Sequence, residues 1–236
     1  MALPAQQVNL RVPNLPPPSP LTFPCPGILL TREALSVLQP SALVLYVRSP
    51  EKLPQDIASH RDVIVVVGQL TDAENLSKAM EGVDAVVSTV GPAVMRGPFH
   101  PGGTPLTHAY RLLLQIMHRH GVTRLIALGT TSIKDPNDKF SYQFWVLVNG
   151  VAIFARTAYK DVVAIGDAIR SEGADLDWTI ARVPVLTDQE TKDFVAGYIA
   201  DGHTKAVLSR AAFASFVVTE LKENKWTRKS PLVSNP

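Results

Sequence analysis

The chain has 236 residues, 46% hydrophobic and 19% charged, with a net charge of +2. That composition supports a packed core and one main domain rather than a disordered chain, and without a lysine and arginine stripe it excludes nucleic acid as a partner. One cysteine, Cys25, excludes an intrachain disulfide framework and favours a reducing compartment.

The elements follow in chain order. A first strand falls on residues 7–12, "QVNLRV", short and modestly apolar. Seven of the fourteen residues 13–26 are proline. Proline fixes φ and removes amide donors, so this stretch reads as polyproline II or loop. It is either a linker over a sheet edge or a segment that touches a ligand. "GILLTREAL" (27–35) opens a helix. "SALVLYVR" (41–48) is a strand, and "SPEKLP" turns into a short helix. "DVIVVVG" (62–68) is a near-continuous apolar run. A helix over 71–82 sets Leu76 and Met80 four apart and ends at Gly82. "VDAVVSTVG" (83–91) is another strand. Residues 105–120 form a helix closed by Gly121, and "VTRLIALGTTS" (122–132) is a strand. Residues 153–172 are helical to Gly173, and 176–186 form a strand. "DFVAGYIA" (193–200) is strand or helix, and 209–224 is a helix. The last dozen residues, with Pro231 and Pro236, are expected along the surface.

Apolar strands without polar alternation, separated by helices, mean an α/β doubly wound fold: a mostly parallel sheet with helices on both faces. The expected division is a proline-rich segment with a possible first strand over 1–26, then one domain over 27–236. No run of about 18 uncharged apolar residues occurs and residues 1–20 lack signal-peptide features, so no membrane span is expected and the cytoplasm is the expected location.

Such a sheet binds ligands beyond the carboxyl ends of its strands. Three consecutive ends here are small or polar: Arg48-Ser49, Gly68-Gln69-Leu70-Thr71 and Thr89-Val90-Gly91-Pro92. Each reads alone as an ordinary turn; together they favour a dinucleotide groove. About 20 residues past the phosphate-turn glycines, an acidic residue holds the ribose hydroxyls of NAD, whereas an arginine accepts the 2′-phosphate of NADP. Counting from Gly27 reaches Arg48, with Lys52 close behind. The expected cofactor is NADP; a solvated arginine is the alternative.

The run "GILLTREAL…YVRSPEKLP…VVVGQLTDAENLSKAMEGVDAVVSTVG", with "GVTRLIALGTTS", "LDWTIARVP", "LSRAAFASFVVTEL" and "SPLVSNP", resembles the NmrA-like and atypical short-chain dehydrogenase/reductase NAD(P)-binding family over about residues 27–236. The resemblance implies a Rossmann-like domain with a small C-terminal substrate-side region and a closing strand at 230–236. It implies an NADP-dependent oxidoreductase for a small to medium carbonyl or alkene, with secondary-metabolite biosynthesis as a setting. The main alternative is a non-catalytic NADP-binding sensor or scaffold of the NmrA type, and a redox-neutral isomerase or cyclase is the third. Carried over by position, Gly27 and Ile28 face the phosphate, and Arg48 and Lys52 the 2′-phosphate. Leu70, Thr89, Gly91 and Thr131 line the cofactor, Lys160 holds the nicotinamide ribose, and Arg182 and Pro184 match an "RP" motif.

The chain departs from the family at the phosphate turn, where Pro24, Cys25 and Pro26 precede a single glycine. Glycine is what lets backbone approach a pyrophosphate. The opening of the helix at Gly27 still offers amides and a dipole. Gln69 stands where the family often has Asp. Arg156, not tyrosine, lies four before Lys160; Tyr159 is adjacent to the lysine instead. Ser132, Tyr159 and Lys160 are the catalytic candidates, with Ser132 or Thr131 donating to a substrate oxygen. Thr130, Thr131 and Ser132 read equally as a turn. His118 and His120 are two apart and share no helical face, so no metal is expected. His100 lies in the glycine and proline loop 96–103, and the apolar stretch 138–154 suits a pocket wall, a partner surface or core. The expected partners are a small-molecule substrate and no membrane, in a monomer or homodimer.

Overall fold

The computed structural model describes residues 6–9, 26–38, 42–91 and 100–236. The proline-rich residues 13–25 and the loop residues 96–99 lie outside them. The elements are β1 (Gln6–Asn9), α1 (Pro26–Val37), β2 (Leu43–Val47), α2 (Gln55–Ala58), β3 (Val63–Val67), α3 (Ala73–Ala79), β4 (Ala85–Ser88), α4 (Pro105–His120), β5 (Arg124–Thr130), α5 (Tyr142–Phe154), α6 (Arg156–Glu172), β6 (Asp177–Val183), β7 (Val185–Thr187), β8 (Val195–Gly197), β9 (Val207–Ser209), α7 (Arg210–Glu223) and β10 (Leu232–Ser234).

Eight strands form one sheet in the order β3-β2-β1-β4-β5-β6-β10-β8, and β7 and β9 pair separately. The fold is an α/β, Rossmann-like, doubly wound, mostly parallel sheet flanked by helices. Successive strand side chains point to opposite faces. Val44 and Tyr46 join Val86, Leu125 and Ile180 in one core under α3, α4 and α6. Leu43, Leu45 and Val47 join Val87, Ile126 and Ala181 in the other, under α1 and α7. Each fully buried large apolar side chain contributes about 1.5–3 kcal/mol. The two faces explain why β2, β5 and β6 read as unbroken apolar runs. By contrast β3 is an edge strand and leaves Ile64 and Val67 half exposed.

Three features differ from the sequence expectation. Residues 10–12 of the expected first strand lie outside the described residues, and its described part, Gln6–Asn9, runs antiparallel to both neighbours: Gln6 pairs with Val47, Asn9 with Val44, and Gln7 with Ser88. The helical stretch beginning at 153 is two helices, and α5 starts at Tyr142, with Ala155 (φ −132°, ψ 50°) as the break. The C-terminal residues do not lie along the surface. Leu232 and Val233 are fully buried, and β10 runs parallel to β6, as the family resemblance implies.

Candidate functional site

The carboxyl ends of β2, β3, β4, β5 and β6 share one edge, and a cleft of about 190 Å³ opens there. Its walls are Tyr46, Arg48, the turn residues Gly68, Gln69, Leu70 and Thr71, and Pro105, Leu106 and Ala109 from the first turns of α4. Flat apolar surface beside exposed backbone suits a purine ring, and a guanidinium at the mouth suits phosphate. Arg48 is exposed and has no ion-pair partner among the described residues. Lys52 is exposed one short turn further on. Two of the expected cofactor residues, Arg48 and Leu70, therefore line one cleft.

Tyr46 builds the floor. It is 2% exposed, and its hydroxyl donates to the Gln69 carbonyl at 2.7 Å. Burial, aided by the negative charge of Asp72, pushes its phenol up to about 12. Gly68 has no side chain because the Tyr46 ring occupies that space. Asp72 then caps α3, accepting from the Asn75 amide at 3.1 Å. The β3–α3 turn is thereby held at both ends.

On the next strand end, Tyr110 of α4 donates to Ser88 Oγ at 2.9 Å and to the Val90 carbonyl at 3.2 Å. Burial pushes its phenol up to about 12. Thr89 is buried between these anchors. A Cβ on Gly91 would come 3.3 Å from Leu128, so this residue passes close over β5.

The start of α4 is held from α6. Asp161, fully buried, accepts from the amides of Leu106 (3.1 Å) and Thr107 (2.9 Å), from Thr107 Oγ1 (2.7 Å), and pairs with His100 Nε2 at 3.0 Å. Thr104, the residue before α4, is left-handed and makes no side-chain cap. Asp161 therefore performs the N-cap from another helix. Burial raises its pKa, but the bonds from Thr107, His100 and the two amides outweigh it, and the net shift is downward.

Beyond β5, Thr130 Oγ1 accepts the Ser132 amide at 3.2 Å and its carbonyl accepts the Ile133 amide at 3.1 Å. This is the turn that the three hydroxyl residues suggested. Thr131 and Ser132 are buried, whereas Tyr159 is half-buried and Lys160 exposed in the opening turns of α6. Among the described residues no hydrogen bond links Ser132 to Tyr159 or Lys160. Arg182 is fully buried and engaged: it donates to Asp138 (2.5 and 2.8 Å), to the Ser230 carbonyl (2.6 Å) and to the Ile133 carbonyl (3.0 Å). It fastens the loop after β5 to the segment leading into β10, with four hydrogen bonds for its five N–H donors. Sequence reasoning missed Tyr46, Tyr110, Asp161 and Asp138; only the adjacency of Asp161 to Lys160 marked it.

The described residues supply matching surface for one half of a dinucleotide at this edge. The cleft and Arg48 suit the adenosine end. At the phosphate end, β1 runs the wrong way: its carboxyl end, Asn9, is level with Val44 and Val86, about 10 Å below the edge by strand rise. Residues 10–25 connect it to α1, whereas a βα turn usually takes two to six residues, roughly. Gly27 is buried in the first turn of α1, and its carbonyl accepts Thr31 Oγ1 at 2.8 Å. Ile28 packs on the core beneath α1. Among the described residues no cluster of His, Cys, Asp or Glu is placed to hold a metal, and no helix is long and apolar enough to cross a membrane.

Several solved structures share the fold. A short-chain dehydrogenase/reductase from Veillonella parvula is 18% identical, with 91% of each chain covered and a TM-score of 0.71. A structure from the same organism described as a complex with NADP is 17% identical over 91% of each chain, with a TM-score of 0.67. ChuY, an anaerobilin reductase from Escherichia coli O157:H7, is 17% identical over 89% of this chain and 92% of its own, with a TM-score of 0.63. No curated protein matches the chain. The model of the NAD(P)H-binding family matches residues 27–224, and the chain belongs to that family.

Proposed function

We propose that the chain binds NADP in preference to NAD and serves as an oxidoreductase for a small to medium, partly apolar carbonyl or alkene, with secondary metabolism as a setting. The observation that carries this reading is Arg48, exposed on the wall of the cleft with no ion-pair partner among the described residues. A 2′-phosphate there gains charge-assisted hydrogen bonds that a ribose hydroxyl cannot supply. That a Veillonella parvula protein of this fold is described with NADP agrees with the choice. NADPH would supply a hydride; the chain would supply orientation and a proton donor. Ser132, Tyr159 and Lys160 are the groups proposed to meet the substrate oxygen and the nicotinamide ribose. The test is calorimetric titration with NADPH and NADH, followed by nicotinamide absorbance over a panel of aldehydes and enones. Equal affinity for the two cofactors would remove the role of Arg48.

A second reading, NADP binding without turnover as in NmrA-type sensors, is favoured by the direction of β1. The described end of β1 points away from the edge that would hold a pyrophosphate, and Arg156 stands where a proton-relay tyrosine belongs. Tight NADPH binding with no absorbance change across the panel would establish this reading over the catalytic one.

A further inference from the structure

Helix α5 buries one side chain, Phe144, of thirteen, although none of the thirteen is charged. Phe144 and Leu147 pack on Ile199 and Leu232. On the opposite face Tyr142, Trp145, Val146, Asn149 and Ile153 recur at three- and four-residue spacing and form one stripe. Tyr142 is 71% exposed, Trp145 52% and Ile153 73%. Phe140 and Phe154 extend the exposed apolar surface at either end. Tyr142 stacks on Trp145 with ring centroids 6.0 Å apart. The stripe's amide bonds back to its own helix: Asn149 Nδ2 donates to the Trp145 carbonyl at 2.7 Å. Between Asp138, which pairs with Arg182, and the buried Asp161 lie three basic residues, Lys139, Arg156 and Lys160, and no acidic one. All three are exposed.

Exposed aromatic and aliphatic side chains gathered on one face of an uncharged helix form a candidate docking face. Its size argues against a second copy of the chain. A helix of thirteen residues is about 20 Å long. A stripe about 10 Å wide along it covers about 200 Å², against roughly 800 Å² per partner in a stable complex. Its chemistry suits a lipid interface instead: aromatic rings with polar tips on the apolar face, and exposed cations in the segments flanking the uncharged helix, Lys139 before it and Arg156 after it. We propose that α5 lies flat on an anionic membrane surface, its stripe among the acyl chains and Lys139 and Arg156 at the headgroups. This revises the expectation of no membrane partner, which rested on the lack of a spanning segment; an in-plane helix needs none. Docking does not depend on the catalytic reading. If that reading holds, α5 leads directly into Tyr159 and Lys160, so the site would open beside the bilayer and take substrate from it.

The test uses the full chain and sedimentation with vesicles of phosphatidylcholine alone or with phosphatidylserine. Binding is expected to the anionic vesicles, to weaken with salt, and to fall at least about tenfold in Trp145→Ser/Ile153→Ser. Both residues are exposed, so the variant should keep the unfolding midpoint and the NADPH affinity of the parent. Absence of binding at millimolar anionic lipid would overturn the proposal, as would undiminished binding by the variant. A dimer in light scattering that the variant dissociates and vesicles fail to compete would assign the face to a second copy and overturn it as well. NADPH titration of the same samples reports on the cofactor reading separately.

Discussion

The ring of Tyr46 fills the space that a side chain at residue 68 would need. A Cβ on Gly68 would lie 2.6 Å from Tyr46 Cζ and 2.8 Å from Cε2. The ring is buried and its hydroxyl is tied to Gln69, so the loop must move rather than the ring. Gly68→Ala should lower NADPH affinity about tenfold and cost about 1–3 kcal/mol of stability. Tyr46→Phe keeps the ring and loses one hydrogen bond, about 1 kcal/mol. Urea unfolding with nucleotide titration separates the two. An unchanged affinity in Gly68→Ala would mean the 68–71 backbone is not part of the cofactor site.

Arg48 is the residue on which cofactor choice is proposed to rest. Hydrogen bonds to charged groups contribute about 1.5–3 kcal/mol. Arg48→Ala should therefore weaken NADPH roughly 10- to 100-fold and leave NADH unchanged. Arg48→Lys should recover part of the loss, because an ammonium lacks the planar fork of the guanidinium. Parallel calorimetric titrations of the three proteins give the comparison. Equal losses for both cofactors would place Arg48 away from the 2′-phosphate.

Much of this architecture was legible because burial on both faces leaves a plain signature. The strands β2, β4, β5 and β6 stand out as apolar runs, and Gly121 marks the end of α4. The direction of β1 was not legible. A four-residue strand alternates its side chains identically in either sense, and only its neighbours decide its polarity. The apolar stretch 142–154 gave no helix signal because it lacks the polar face that makes helical periodicity visible. Arg48 stood out as a charge ending an apolar strand. Tyr46 looks like one more core residue within "LVLYV", and Asp161 like a surface charge beside Lys160. Their roles depend on Gly68 and on the α4 amides, which only the tertiary fold brings to them.

Asp161 joins α6 to the wall of the cleft. Its pKa lies below the ordinary carboxylate value. A carboxyl depressed in the native state adds stability that is complete above the unfolded-state value and drains away as the pH falls through the native one. Asp161→Asn should cost about 1–2 kcal/mol near neutral pH, the scale of a lost cap. It should also flatten the loss of stability in acid, because one depressed carboxyl is gone. Urea midpoints across the acid range, for parent and variant, check the sign. A variant that loses stability in acid as steeply as the parent would show that Asp161 is not one of the groups titrating there.

The Arg182–Asp138 pair is the structural counterpart of a residue expected at the site. Arg182 is fully buried, and the Asp138 side chain is 15% exposed. For Asp138 burial acts upward, but the hydrogen bonds and charge of Arg182 hold its carboxyl below the ordinary value. The Asp138 carboxylate also accepts the amides of Ile199 at 3.1 Å and Asp135 at 2.9 Å, so it organises the turn after β5 and the strand region near β8 together. Removing one partner of such a pair leaves the other charge buried and unpaired, at about 3–5 kcal/mol. Arg182→Met should be destabilised by that amount in urea unfolding. Arg182→Met with Asp138→Leu should regain a substantial part, since an apolar replacement of both charges removes the unpaired group, although the Ile199 and Asp135 amides lose their acceptor. If Arg182 instead bound substrate, Arg182→Met would keep its unfolding midpoint and lose only ligand affinity. Full burial and four internal hydrogen bonds of the guanidinium predict the opposite.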